Sequence, residues 1–126
     1  MMKAILCNKW GDPEVLELRE IDVPKPNDDE ILIKVKASAV NYADLVMLKG
    51  QYQTRPSFPF GPGLECAGEV VLIGKNIKKF KINQRVLAKI AHSGFAEYAI
   101  ANPEFTYEIP ERMSWEHASS FFVAYV

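Results

Sequence analysis

Cysteine is scarce in this sequence, whose 126 residues contain only two, Cys7 and Cys66. The two lie far apart along the chain and lack the short spacing, such as Cys-x-x-Cys, of a metal or redox motif. The histidines His92 and His117 have no cysteine or acidic residue near them in ligand spacing. These absences exclude a disulfide framework and predict two small buried thiols in a reducing cytoplasm.

Long hydrophobic runs and an excess of one charge are also missing. No apolar stretch approaches the roughly 20 residues that a membrane-spanning helix needs. The N-terminus turns polar at Asn8 and Lys9, before a signal-peptide core develops. The 15 basic and 16 acidic residues leave a formal net charge of -1, which gives no overall field to attract nucleic acid or anionic lipid. The sequence therefore disfavours membrane and nucleic-acid partners.

Many short runs of apolar and β-branched residues are present, separated by turn-forming residues. In Ile31–Ala37, apolar and polar residues alternate over the second half, which is typical of a half-buried strand. Six further runs are predicted as strands: Met2–Asn8, Val15–Ile21, Ala67–Ile73, Arg85–Ile90, Phe95–Ala101 and Phe105–Ile109. The length leaves room for one compact domain. The pattern predicts a mainly β fold, a sandwich or barrel rather than an alternating βαβ sheet.

Two helices are expected beside the strands. A short one is predicted over Tyr42–Leu48, with Asn41 as N-cap because its side-chain oxygen can accept an unpaired backbone N–H. A second is predicted to begin at Ser114, another cap-type residue. The last six residues, Phe121–Val126, are all apolar and carry no C-cap signal. Either further polypeptide follows them, another chain covers them, or the helix packs back on its own domain.

Short motifs follow one another over nearly the whole chain: Trp10–Leu16, Val23–Pro26, Val40–Asp44, Gly50–Tyr52, Pro59–Val70, Phe80–Val86, Gly94–Ala99 and Ser114–Ala118. Their joint order resembles the N-terminal GroES-like domain of zinc-independent NADPH:quinone oxidoreductases, the zeta-crystallin-like branch of the medium-chain dehydrogenase/reductase superfamily. The resemblance implies a partly open β-barrel over residues 1–126. Residues 114–126 would then start the linker helix to an absent nucleotide-binding Rossmann domain.

The resemblance also implies that no metal is bound. Zinc-dependent relatives supply a thiolate near the position of Asn41 and an imidazole at that of Leu64, where this sequence reads Gly63-Leu64-Glu65. A catalytic zinc takes three protein ligands and an open position, and a carboxylate such as Glu65 alone makes a poor site. The four-cysteine structural zinc lobe is missing too, because the chain has only two cysteines.

The candidate site residues come from the same resemblance. Asn41 and Tyr52 are expected near the nicotinamide and the acceptor, where an amide and a phenol offer hydrogen bonds. The alternatives are that Asn41 only caps the helix and that Tyr52 is a half-buried loop aromatic. Asp44 and Glu65 are expected to orient loops rather than to act as acids or bases. Val46 stands where relatives have an aromatic residue, and no residue is assigned a catalytic role.

The function implied by the resemblance is hydride transfer from NADPH to a quinone or another conjugated carbonyl such as an enone. These acceptors suit a metal-free cleft because they delocalise the incoming charge. NADPH is expected to be held mostly by the Rossmann domain, in cis or in trans, since Gly61-Pro62-Gly63 does not form a phosphate loop. The chain alone is therefore expected to have little or no activity.

The alternative is a binding module without catalysis, for RNA or for a separate Rossmann-domain partner. Its sequence basis is a group of lysines around one turn: Lys75, Lys78, Lys79 and Lys81. RNA is the weaker interpretation because Phe80 is the only aromatic residue there that could stack on a base. The apolar C-terminal segment is also compatible with self-association through the second helix.

Overall fold

The computed structural model describes residues 1–53 and 55–119, and over these the chain is mainly β. The strands in chain order are β1 (Met2–Leu6), β2 (Glu17–Ile21), β3 (Ile31–Ala37), β4 (Glu65–Ile73), β5 (Arg85–Lys89), β6 (Tyr98–Ala101) and β7 (Thr106–Glu108). The helix α1 spans Tyr42–Leu48, and single 3-10 turns lie at Pro13–Val15 and Pro103–Phe105. Residues 115–119 are helical. The predicted fold class is confirmed.

The strands form two antiparallel sheets. β1 and β2 make a two-stranded ribbon, and the other five strands form one sheet in the order β6-β3-β4-β5-β7. The ribbon is joined to the larger sheet just before β6, because the Ile5 N–H donates to the Phe95 carbonyl at 2.9 Å and the Glu97 N–H to the Lys3 carbonyl at 3.1 Å. The result is the partly open barrel that the sequence predicted.

The main core lies under the five-stranded sheet. The first three residues of β3 are all buried, whereas Lys34 and Lys36 further along are exposed. This difference explains why only the second half of β3 alternates in sequence. The buried members of the core cluster are Ile31, Ile33, Cys66, Val70, Phe80, Val86, Ala88, Ile90, Ala99 and Ala101. Each large aliphatic side chain buried there contributes about 1.5–3 kcal/mol.

Several predicted strand bounds are wrong, for reasons of local and tertiary structure. Cys7 has left β1 and pairs instead with Phe60, through N–H to carbonyl distances of 2.8 and 3.2 Å. Val15 closes a 3-10 turn that Pro13 starts, since proline fixes φ and cannot donate to a strand ladder. Phe105 closes the second 3-10 turn in the same way.

No described helix is long and apolar enough to cross a membrane.

Arg85, the first residue of β5, holds the segment that follows β7. Its guanidinium donates to the carbonyl oxygens of Pro110 at 3.0 Å, Glu111 at 2.6 Å and Met113 at 2.8 Å. It also lies 4.1 Å from the centre of the Trp115 ring, a cation–π contact. The side chain thus fixes where the chain leaves the barrel.

The helix after this segment begins where the sequence predicted. The Ser114 Oγ accepts a hydrogen bond from the His117 N–H at 3.0 Å, which is the contact expected of an N-cap. Residues 120–126, which hold most of the predicted linker helix, lie outside the described residues. Their role as a link to a second domain stays a prediction.

Replacing Arg85 with alanine is expected to release residues 110–119 while leaving the barrel folded. The substitution removes the donor of three hydrogen bonds and the partner of the Trp115 ring, at a cost of about 2 kcal/mol. Hydrogen exchange should speed up in this segment and not in β4. Lys89→Ala, an exposed change at the other end of β5, should alter stability by no more than about 0.5 kcal/mol. Unchanged protection of residues 110–119 would contradict the role given to Arg85.

Candidate active site

The candidate site forms where the start of α1 meets the loop that leads into β4. Asn41 occupies the N-cap position with extended backbone angles, φ -118° and ψ 158°. Its N–H donates to the Asp44 Oδ2 at 2.8 Å, and the Asp44 N–H donates to the Asn41 carbonyl at 2.9 Å. The Asp44 carboxylate thus satisfies the Asn41 N–H at the helix start, which is one half of a capping box. Asn41 is the N-cap residue as predicted, but its side-chain oxygen makes no capping hydrogen bond, because the Asp44 N–H is bonded to the Asn41 backbone carbonyl instead.

Asp44 also connects the helix to the loop before β4. Its Oδ1 accepts a hydrogen bond from the Gly63 N–H at 2.9 Å, and the residue is only 2% exposed. Burial raises the pKa of Asp44, while the hydrogen bonds from Asn41 and Gly63 act in the opposite direction. Both carboxylate oxygens are therefore used to hold backbone, which is the geometry that a loop-orienting residue needs.

The loop carrying Gly63 runs against the segment before β6 with very little space between them. The Gly94 N–H donates to the Gly63 carbonyl at 3.1 Å, and the Gly94 carbonyl accepts from the Ser38 Oγ at 2.5 Å. Gly63 has φ +112°, and a Cβ there would lie 2.6 Å from the Gly94 nitrogen. Glycine is required here for close backbone approach.

The same contacts explain why Gly61-Pro62-Gly63 does not cradle phosphate. A phosphate loop needs several backbone N–H groups directed at the ligand. Here the Gly63 N–H is used by Asp44, and proline has no N–H to offer. The Gly61 carbonyl accepts from the Ser93 N–H at 2.7 Å. The segment is a structural part of the site.

Leu64 points into an apolar cluster beside this junction. It is 5% exposed and packs with the buried side chains of Cys7, Met47, Leu48 and Phe60. Tyr52 packs against the same cluster and is partly buried. The structure thus brings Leu64 and Tyr52 to one side of the junction, and the half-burial of Tyr52 agrees with either role considered for it.

Glu65 begins β4, two residues earlier than the strand start predicted at Ala67. It is buried and lies opposite Lys89 in the register with β5. Burial, and secondly the charge of Glu65, raise the pKa of the neighbouring Cys66 thiol to about 12. Burial also raises the pKa of Cys7. Both cysteines are free and buried as predicted, and such thiols are poor nucleophiles.

The residues at this junction do not fit a catalytic zinc. A zinc site here would need a thiolate at position 41 and an imidazole at position 64. The chain has the amide of Asn41 and the aliphatic side chain of Leu64 there, and Leu64 is surrounded by apolar side chains. Within residues 1–53 and 55–119 no group of three His, Cys, Asp or Glu side chains is placed to hold a metal ion. The donor set of the junction therefore lacks the ligands that zinc prefers.

Two features near the junction were missed by sequence reasoning. Val40 and Tyr42, on either side of Asn41, are 74% and 80% exposed. No local sequence signal identifies their exposure, because the periodicity of so short a helix does not tell which end stays uncovered. A separate cavity of about 750 Å³ lies between the β1–β2 ribbon and β6, and neither Asn41 nor Tyr52 lines it.

Comparison with known proteins assigns the fold to a family. The family model of the alcohol dehydrogenase GroES-like domain matches residues 27–111. The Homo sapiens quinone oxidoreductase is 36% identical over 127 residues, which cover 99% of this chain and 39% of that protein. The crystal structure of Escherichia coli quinone oxidoreductase complexed with NADPH aligns with a TM-score of 0.90 at 30% identity, covering 95% of this chain and 37% of the other.

A further solved relative carries a different name. The human synaptic vesicle membrane protein VAT-1 homolog-like protein aligns with a TM-score of 0.90 at 35% identity, covering 94% of this chain and 38% of the other. The chain belongs to the alcohol dehydrogenase GroES-like domain family. Within it, relatives named quinone oxidoreductase confirm the predicted resemblance. The chain spans 39% of the length of the human quinone oxidoreductase.

Proposed function

We propose that this chain is the acceptor-side domain of an oxidoreductase that reduces a quinone or another conjugated carbonyl with NADPH. The observation that carries the proposal is its similarity over 99% of its length to quinone oxidoreductases. A solved relative complexed with NADPH supports the choice of cofactor. NADPH would supply the hydride when bound.

The role of this domain is to orient the acceptor and to exclude water. The Asn41 amide donates to the acceptor's carbonyl oxygen, where negative charge develops as the hydride arrives. The Tyr52 phenol offers a second donor. Asp44 acts indirectly, because it fixes the Asn41 backbone and the Gly63 loop together. Glu65 is assigned to loop orientation and not to proton transfer.

We further propose that the enzyme works without zinc. The donor set at the junction supports this, since Asn41 and Leu64 offer neither thiolate nor imidazole. A quinone acceptor is compatible with a site without zinc, because its conjugated ring delocalises the negative charge that the hydride brings. An alcohol substrate fits less well, as its oxidation benefits from a Lewis acid on the oxygen.

The nucleotide would be bound largely by a Rossmann domain, in cis or in trans. The described part of the chain offers no phosphate cradle at Gly61–Gly63, because the Gly63 N–H is bonded to Asp44 and Pro62 has no N–H. The matched relatives are more than twice as long as this chain, which leaves room in them for such a domain. A cytoplasmic location is proposed from the two free buried cysteines.

The proposal predicts that the chain alone does not oxidise NADPH with a quinone above the buffer rate. Joined to the nucleotide-binding part of a matched quinone oxidoreductase, it should turn over, and chelating agents should leave the rate unchanged. Asn41→Ala in that assembly should lower kcat/KM by about 10- to 100-fold through loss of a donor to developing charge. The measurement is NADPH absorbance with menadione as acceptor.

The matched control is Asn8→Ala, which removes an exposed asparagine outside the junction. It should leave kcat/KM within about twofold, since surface changes away from special features have small effects. Robust turnover by the isolated 126-residue chain would refute the proposal that the nucleotide is bound largely by a separate Rossmann domain. Full activity of Asn41→Ala would refute the role of the amide.

The binding-module alternative has weaker support. Lys75 lies 3.7 Å from the carboxylate of Asp28, and Lys79 lies 5.3 Å from the centre of the Phe80 ring. The acidic neighbour reduces the local positive potential that would attract RNA. Strongly salt-dependent RNA binding would favour this alternative. Self-association through the C-terminal helix stays a prediction.

A further inference from the structure

The loop that follows α1 is held by backbone hydrogen bonds only at its two ends. Its described part, residues 50–53 and 55–60, contains no strand or helix. Among the described residues, two N–H groups at its start donate to carbonyls of α1, and Phe60 at its end exchanges hydrogen bonds with Cys7. Tyr52 lies between these ends. Because a loop without backbone hydrogen bonds is mobile unless side chains pack on it, the order of this loop depends on packing.

The Trp10 ring supplies that packing at the start, in the middle and at the end of the loop. At the start, a Cβ added to Gly50 would lie 2.9 Å from the Trp10 Cδ2, so the ring lies directly against the loop backbone. In the middle, the Arg55 guanidinium lies 5.3 Å from the centre of the ring, a cation–π contact. Towards the end, the ring centres of Phe58 and Phe60 lie 4.5 and 5.8 Å from that of Trp10.

Trp10 is itself held in place from two directions. Its side chain packs against the apolar cluster that contains Leu64. The next residue, Gly11, donates its N–H to the Leu48 carbonyl at the end of α1, at 2.8 Å. Tyr52 packs against the same apolar cluster. The loop on both sides of Tyr52 therefore rests on one fixed ring, and an aliphatic side chain at position 10 would provide neither the cation–π contact nor the aromatic contacts.

We propose that Trp10 is the positioning residue that sets the place of Tyr52 at the acceptor. It acts by ordering the loop before and after Tyr52, so that the phenol is in place before the acceptor binds. A donor that is ordered in advance costs less entropy on binding than one that must be ordered by the ligand. The proposal rests on the role proposed above for the Tyr52 phenol and adds to it a residue from outside the junction.

The first test measures the order of the loop in the 126-residue chain by ¹⁵N relaxation. Trp10→Leu keeps an apolar side chain on the cluster and removes the ring. The order parameters of the Gln51–Gln53 amides should fall from about 0.85 to below about 0.6, while those of β4 stay unchanged. Trp115→Leu is the matched control, because it makes the same change at the other tryptophan, which is also half-buried and also contacts an arginine. It should leave the order of the loop unchanged.

The second test asks whether Trp10 acts through Tyr52 when this chain is joined to the nucleotide-binding part of a matched quinone oxidoreductase. Trp10→Leu and Tyr52→Phe should each lower kcat/KM for menadione by about three- to tenfold. The double variant should be no worse than the poorer single variant, because a phenol that is no longer positioned contributes little. The effects of Trp115→Leu and Tyr52→Phe should multiply instead, since these residues have no shared role.

Either of two results would overturn the proposal: unchanged order parameters at Gln51–Gln53 in Trp10→Leu, or effects of Trp10→Leu and Tyr52→Phe on kcat/KM that multiply. Failure of the proposed function gives a different result. The unsubstituted assembly would then transfer no hydride to menadione, whereas the loop of the 126-residue chain would still lose its order in Trp10→Leu. That combination refutes the proposed function and supports the hold of Trp10 on the loop.

Discussion

Replacing Gly63 with alanine is expected to lower the free energy of unfolding by about 3 kcal/mol or more. Its φ of +112° is one that L residues rarely adopt, and a Cβ would lie 2.6 Å from the Gly94 nitrogen and 2.7 Å from the Phe95 nitrogen. These are backbone atoms held by hydrogen bonds between the two segments. The Gly94 and Phe95 nitrogens cannot move away from an added Cβ without breaking these hydrogen bonds. Urea denaturation gives the measurement.

Gly94→Ala is the graded control on the same contact. A Cβ at Gly94 would meet its nearest atoms at 3.1 Å, and its φ is not in the left-handed region. A shift of a few tenths of an ångström would relieve that contact, so the expected loss is about 1 kcal/mol. Equal losses for the two variants would contradict the cost assigned to Gly63, because both its backbone conformation and its shorter 2.6 Å contact should make it the more costly substitution.

The elements whose sequences carry strong local signals are the ones whose first and last residues were predicted correctly. α1 and β3 have the predicted bounds, because the N-cap of the helix and the composition of the strand are written in adjacent residues. Cys7 continues the apolar pattern of β1 and nevertheless pairs with Phe60. That pairing depends on a loop far away in sequence, and no local pattern encodes it.

The same distinction separates the predictable from the unpredictable parts of the site. Asn41 and Leu64 were identified because they replace metal-ligand types within a motif. The hydrogen bond from Gly63 to Asp44 spans 19 positions and depends on how the intervening loop returns. The exposure of Tyr42 was equally invisible, since the periodicity of so short a helix does not tell which end stays uncovered.

Asp44→Ala is the second substitution with a large expected effect, about 3–5 kcal/mol of stability. It leaves the N–H groups of Asn41 and Gly63 without their acceptor at a buried site, and hydrogen bonds to a charged group are each worth about 1.5–3 kcal/mol. Exchange of the Gly63 amide proton should accelerate strongly. Asp12→Ala, an exposed aspartate, is the control and should cost no more than about 0.5 kcal/mol. A loss as small as the control's would contradict the joint role of Asp44.

The pH dependence of stability tests the electrostatics of the same carboxylate. Burial raises the pKa of Asp44 above its ordinary value of 3.8, so the folded state binds the proton more tightly than the unfolded state does. The stability from this group is fully present below that ordinary value and is lost as pH rises through the folded-state pKa. Asp44→Asn has no such proton. Its free energy of unfolding, measured relative to the unsubstituted protein, should therefore increase as the pH rises above about 4. A decrease would mean that the hydrogen bonds from Asn41 and Gly63 outweigh burial and that the carboxylate is held in its charged form.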